Sequence, residues 1–241
     1  MTASTAAKEP EMIRATTSEW GRRLALAGIV GVSTAAVGIA ALDVWTLDWP
    51  RNPLVRTISE YALGPMAWPF YIAVLLVAAG SAAILAALVL AGLTRVGSGP
   101  GIGMLLWVIG MTCVVVFRKH DWTVGPSPSG YVHQLASLVA FISLPIAGLR
   151  LAKAWRGTDG WTAFARWTRR FAIAALLWFP LIVAAVLISV ATSLEWWQLI
   201  PLGLTERLLT IGEIGTVLML GRWGLAAHRP APADVGGDVV G

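Results

Sequence analysis

Charge is what this sequence has least of. Asp, Glu, Lys and Arg make up 13% of its 241 residues and the mean hydropathy is +0.73, against roughly a quarter charged in soluble domains. A soluble globular fold is therefore excluded, and a polytopic membrane protein remains. Cysteine is nearly absent too: the one thiol, Cys113, lies in an apolar run, so no intramolecular disulfide can form and a reactive thiolate is disfavoured there. No apolar run alternates with a period of two, which removes a β-barrel. The net charge of +5 comes from Lys and Arg scattered between apolar runs rather than clustered with aromatics, so nucleic acid is not an expected partner. Membrane lipids are.

What is present is a series of long apolar runs. Crossing the hydrocarbon takes about 20 residues, and six stretches approach that length: 24–45, 69–93, 102–117, 131–149, 171–190 and 204–220. With a barrel excluded, the reading is an all-α six-transmembrane-helix bundle spanning 22–226, preceded by a polar tail (1–21) and followed by a disordered tail (227–241). Arg22 and Arg23 ahead of LALAG are read as the cationic anchor of an uncleaved span. Ala27, Gly31 and Ala35 form a small-residue stripe suited to close helix packing, and Pro145 and Pro180 should kink their spans.

Orientation follows from the basic residues. Placing the amino terminus in the cytoplasm puts 13 of them inside and 5 outside, and the loop from Arg150 to Arg170 alone holds six. Both termini are therefore expected in the cytoplasm of a bacterial plasma membrane, the bacterial origin being suggested by a strong preference for Arg over Lys. Tryptophans mark the two expected interfaces: Trp45, Trp49, Trp68, Trp122, Trp196 and Trp197 outside, and Trp20, Trp155, Trp161, Trp167 and Trp223 inside.

The chemistry gathers on the expected outer face. The loop FRKHDWTVGPSPSGYVH, Phe117 to His133, holds Arg118, Lys119, His120, Asp121 and His133, and it follows a span only about 24 Å long, which draws it toward the bundle. Its basic residues can pair with Asp121. In the first outer loop, Ile58, Tyr61 and Ala62 recur at helical spacing while Arg56 and Glu60 lie four apart, as in a short helix in the interface. The sixth span opens with Thr205 as a candidate N-cap, then Glu206, Thr210 and Glu213 in one polar stripe. Glu213 costs about 2.5 kcal/mol or more if charged at mid-membrane, so it must be neutral, paired or facing a polar cavity. Asp43 poses a milder version of the same problem.

The motifs ISEYALG, F-x-x-x-D with G-x-x-H (Phe117, Asp121, Gly130, His133) and GLTER occur in that order on one face. In this the chain resembles the membrane family called domain of unknown function 998, over about Leu24 to Gly221. The resemblance implies a fold and a place for the site, not a reaction.

Three functions fit these residues. In a membrane hydrolase acting on a lipid or amide, Asp121, His133, Glu60 and Ser59 would be catalytic, with His133, Asp121 and His120 as zinc ligands. In a transporter or proton carrier, the Glu206, Thr210, Glu213 stripe would conduct. In an accessory, sensory or lipid-binding protein, Arg56, Tyr61, His120, Glu206, Arg207 and Glu213 belong to a ligand or ion-pair cluster, with Arg56 on Glu60 and Arg207 on Glu206 or Asp43.

Overall fold

The structure is a computed structural model that describes residues 8–46, 54–121, 123–192, 194–195 and 198–228. Among these the fold is helical: α1 (Lys8–Trp45), a short 3-10 helix η1 (Ile58–Leu63), α2 (Ala67–Leu90), α3 (Gly99–Val116), α4 (Pro128–Trp155), α5 (Thr162–Leu176), α6 (Phe179–Ala191) and α7 (Leu202–Ala227). Six segments are long and apolar enough to cross a membrane, with α5 and α6 together forming the fifth, Thr162–Ala191. Trp49, Arg51, Trp122, Trp196, Trp197 and the tail from Arg229 lie outside the described residues.

Local chemistry explains where the helices begin and break. Ser98 and Ser127 cap α3 and α4 by accepting the backbone N–H of Gly101 and Gly130, each with a proline in the first helical positions. α1 starts at Lys8 rather than near residue 24, so the segment read as a polar tail is largely helical. In the fifth span Pro180 has no N–H for the carbonyl of Leu176, and the helix stops at Leu176 and restarts at Phe179. Pro145 sits inside α4, which stays continuous.

α7 is the hub, packing on α1, α2, α4 and α5, while α1 lies along α2 and α3 along α4. Small residues set these approaches. A Cβ on Gly28 would lie 2.5 Å from the carbonyl oxygen of Gly80, and one on Gly212 would lie 2.6 Å from the backbone nitrogen of Ala175. The α1 seam keeps part of the expected stripe: Ala35 is buried and a Cβ on Gly31 would lie 3.5 Å from the carbonyl oxygen of Leu76, whereas Ala27 is exposed and Gly28 and Val32 are buried.

The two ends of the bundle are built differently. At the end with the chain termini, Trp223 is fully buried, with its ring centroid 5.9 Å from that of Trp161 and 6.1 Å from that of Phe164, so it is a core residue and not the interfacial anchor expected. There His228 also ties α7 to α2, its Nε2 lying 3.0 Å from the carbonyl of Ala87. The opposite end, where η1 and the α3–α4 loop meet α7, holds the polar cluster.

Candidate functional site: an amphipathic cavity under an ion-pair cluster

The cluster is centred on Asp43, in the last turn of α1. Arg207 grips it with two charge-assisted bonds, Nε to Oδ2 at 2.8 Å and Nη2 to Oδ1 at 2.6 Å. The Tyr61 hydroxyl donates to Oδ1 at 2.8 Å and lies 2.9 Å from the hydroxyl of Thr46. The second terminal nitrogen of Arg207 donates to the carbonyls of Arg56 and Gly203, at 2.8 and 3.0 Å. One guanidinium therefore joins α1, the η1 loop and the start of α7. Burial pushes the Tyr61 phenol above its ordinary value, because the phenolate would lose more hydration than the neutral hydroxyl.

A second group surrounds η1. Glu60 closes a capping box with Thr57 and pairs with Arg56 at 2.9 Å. Glu206 reaches across from α7 and accepts the backbone N–H of Ile58 at 2.5 Å. Lys119 donates to Thr57 at 2.6 Å and Ser59 at 3.1 Å, with Glu60 at 3.8 Å. Burial pulls the Lys119 ammonium below its ordinary value, against the pull of Glu206 and Glu60.

Beneath these groups lies a cavity of about 510 Å³. Its polar end is formed by Asp43, Ser59, Glu206, Arg207 and Thr210. Its body is apolar, walled by side chains such as Ala35, Phe70, Ala73, Trp107, Phe141 and Leu218 from α1, α2, α3, α4 and α7, with Phe171 of α5 also lining it. From Glu206 to Leu218 it follows α7 for about 18 Å at 1.5 Å per residue.

The structure separates residues that neighbour one another in the α3–α4 loop. Asp121 turns outward into a tight turn, accepting the N–H of Thr123 at 3.1 Å and its hydroxyl at 2.6 Å, which holds the carboxyl below its ordinary value. Lys119 points to η1 instead of pairing with Asp121. His120 is buried against the first turn of α4: its Nδ1 accepts the N–H of Ser127 at 2.9 Å, its ring meets Tyr131 edge-on, and only a glycine at Gly130 leaves it room. His133 donates from Nδ1 to the carbonyls of Val114 and Phe117, at 3.1 and 2.9 Å, which holds the end of α3 to α4. Among the described residues no three His, Cys, Asp or Glu side chains gather where a metal could be held, so the donor set does not fit the expected zinc.

α7 also departs from the expected pattern. The helix opens at Leu202, so Thr205 is a buried interior residue and not the N-cap. Glu206 and Thr210 line the cavity but Glu213 does not; it is fully buried, and neither carboxyl oxygen has a hydrogen-bond partner among the described residues. The links from Asp43 to Tyr61 and from Lys119 to Ser59 had no signal beyond an acid late in the first span and a lysine beside the third.

The profile of a family described as protein of unknown function (DUF998) matches residues 29–223. The chain belongs to the DUF998 family. That match spans η1, the α3–α4 loop and the start of α7, so every element of the cluster falls within the DUF998 region. No curated protein and no solved structure was found to match the chain.

Proposed function

We propose that this protein is a lipid-binding membrane protein that holds a single-chain amphiphile in the cavity. The observation that carries the reading is the cavity itself: about 510 Å³, with charged groups at one end and a body that is apolar apart from Ser137, whose hydroxyl donates to the carbonyl of His133, and within the range of small-molecule sites. An apolar chain fits the walls and a polar head fits the end. The surrounding groups also limit the head. Asp43, Glu60 and Glu206 are balanced by Arg56, Lys119 and Arg207, which favours an uncharged or zwitterionic head over one with net charge. With the excess of basic residues at the opposite end placed in the cytoplasm, the head lies on the extracytoplasmic side. A role as an accessory or sensory component of the plasma membrane accords with such a site.

The test is equilibrium binding of a pyrene-tailed lysophosphatidylcholine to the purified protein in mild detergent, read by tryptophan-to-pyrene energy transfer. One probe per chain is expected. Ala73→Phe, which fills the apolar body, should weaken binding at least tenfold without lowering the melting temperature by more than a few degrees. If the unsubstituted protein binds no probe, or if Ala73→Phe binds as tightly as it does, the cavity is not a lipid site.

A further inference from the structure

The route into the cavity is marked on the seam between α1 and α7. We infer that the occupant enters sideways from the bilayer, through a window between these two helices, and not from water through the polar end. This rests on the lipid-binding reading above.

The antiparallel α1 and α7 are pinned at two heights. Toward the termini the pin is close packing: a Cβ on Gly221 would lie 2.7 Å from Ile29, and one on Gly224 would lie 3.7 Å from Ala25. At the other end the pin is the Asp43–Arg207 ion pair. Equal numbers of residues separate the pins on each helix, a length of about 21 Å at 1.5 Å per residue. Between them the cavity is lined by Ala36 and Ala40 of α1 and by Ile211 and Gly215 of α7. The α1 side carries only the short side chains of Ala36 and Ala40 here, while on α7 Gly215 is covered by the Phe171 ring of α5, so the thin part of the wall lies at Ala40 and Ile211. Ala40 is exposed and Ile211 is 62% exposed although both line the cavity, so the wall here faces outward as well as inward.

On a chain with six membrane-crossing helices, an opening at this depth faces acyl chains. The polar end offers a worse route. Arg207, Tyr61, Thr46 and the backbone of the η1 loop are joined there by the hydrogen bonds described above, and an apolar tail entering that way would have to break charge-assisted bonds. A lipid already in the adjacent leaflet can slide its tail between Ala40 and Ile211 while its head stays level with Asp43 and Arg207. The ion pair then serves as the lintel of the window.

The experiment locks the window. In a Cys113→Ala background, Ala40→Cys and Ile211→Cys are joined by a short reducible bis-methanethiosulfonate, with closure confirmed by mass. Protein in liposomes is loaded with pyrene-tailed lysophosphatidylcholine before closure, and transfer of probe to acceptor vesicles is then timed. Closure should slow transfer at least tenfold, and reduction should restore it. The paired substitutions Ala40→Trp and Ile211→Trp should slow it similarly without a bridge. Unchanged transfer with the bridge formed, or with both tryptophans in place, overturns the window and assigns entry to the polar end. A background protein that binds no probe before closure overturns the lipid-binding reading itself, and the window falls with it; the two failures are thus told apart.

Discussion

Asp43 and Glu213 are both acids on membrane-spanning helices, and the fold treats them in opposite ways. Asp43 receives two bonds from Arg207 and one from Tyr61, so both of its oxygens are engaged. Glu213 is fully buried with neither oxygen bonded among the described residues. The difference tracks depth and neighbours. Asp43 is in the last turn of α1, within reach of loop donors, whereas Glu213 shares its face of α7 with the buried Leu209, Val217 and Leu220. A partnered acid near a helix end can organise a site, since it joins elements distant in sequence. An acid with no partner among the described residues ties no elements together, and burying it unbonded costs stability rather than adding to it.

Removing the partnered acid gives the largest expected effect. Asp43→Ala leaves the largely buried Arg207 side chain without its carboxylate, and should cost about 2 to 4 kcal/mol, between the values for exposed and fully buried pairs. Thermal unfolding in detergent measures it, and a cycle with Arg207→Ala isolates the pair: the double variant should lose much less than the two single losses added together. Additive losses would show that the two residues act independently, and the contrast with Glu213 would lose its basis.

Tyr61 gives a smaller effect with a distinctive pH dependence. Tyr61→Phe removes bonds to Asp43 and Thr46 and should cost about 1 kcal/mol at neutral pH. The folded phenol titrates above its ordinary value of 10.0, so its stabilisation is complete below that pH and is lost as pH rises through the folded value. Lys119 acts with the opposite sign. Its folded value lies below the ordinary 10.5, so the unfolded chain binds more protons between the two, and stability rises with pH across that interval. Tyr61→Phe should therefore remove the alkaline loss and retain the Lys119 gain. A variant that still loses stability above pH 10 as the parent does would show that Tyr61 is not the group responsible.

How legible this was depended on the range of each interaction. The apolar runs marked six spans because hydropathy and helical length are local properties, and Pro180 marked the α5–α6 break for the same reason. The Arg56–Glu60 pair was legible from its spacing, and Arg207 with Asp43 was one of two pairings expected. The α3–α4 loop was the hardest to read. Successive residues of an irregular segment point in different directions, so Lys119 reaches η1, His120 packs on α4 and Asp121 faces outward. Proximity in sequence had grouped Asp121, His120 and His133 as metal ligands. The cavity had no signature at all, because it is formed by aliphatic and aromatic side chains on six helices whose juxtaposition only packing decides.

Glu213 supplies the smallest expected effect and the sharpest limit on the comparison. Glu213→Gln keeps the shape of the side chain and exchanges one unbonded oxygen for an amide nitrogen. With no hydrogen-bond partner for either atom among the described residues, neither form gains a bond, so stability should stay within the scatter of a neutral substitution, about 0.5 kcal/mol. Glu213→Leu goes a step further: it removes buried polar atoms that pair with nothing, and a well-packed apolar replacement at such a site is neutral or stabilising. Lipid binding should be unchanged in both variants, since Glu213 does not line the cavity. A loss of 2 kcal/mol or more from Glu213→Gln would instead mean that the carboxyl holds an ordered water or ion, because only a bonded group loses that much on so small a change. Glu213 would then be a second polar site in the core, and depth alone would no longer separate it from Asp43.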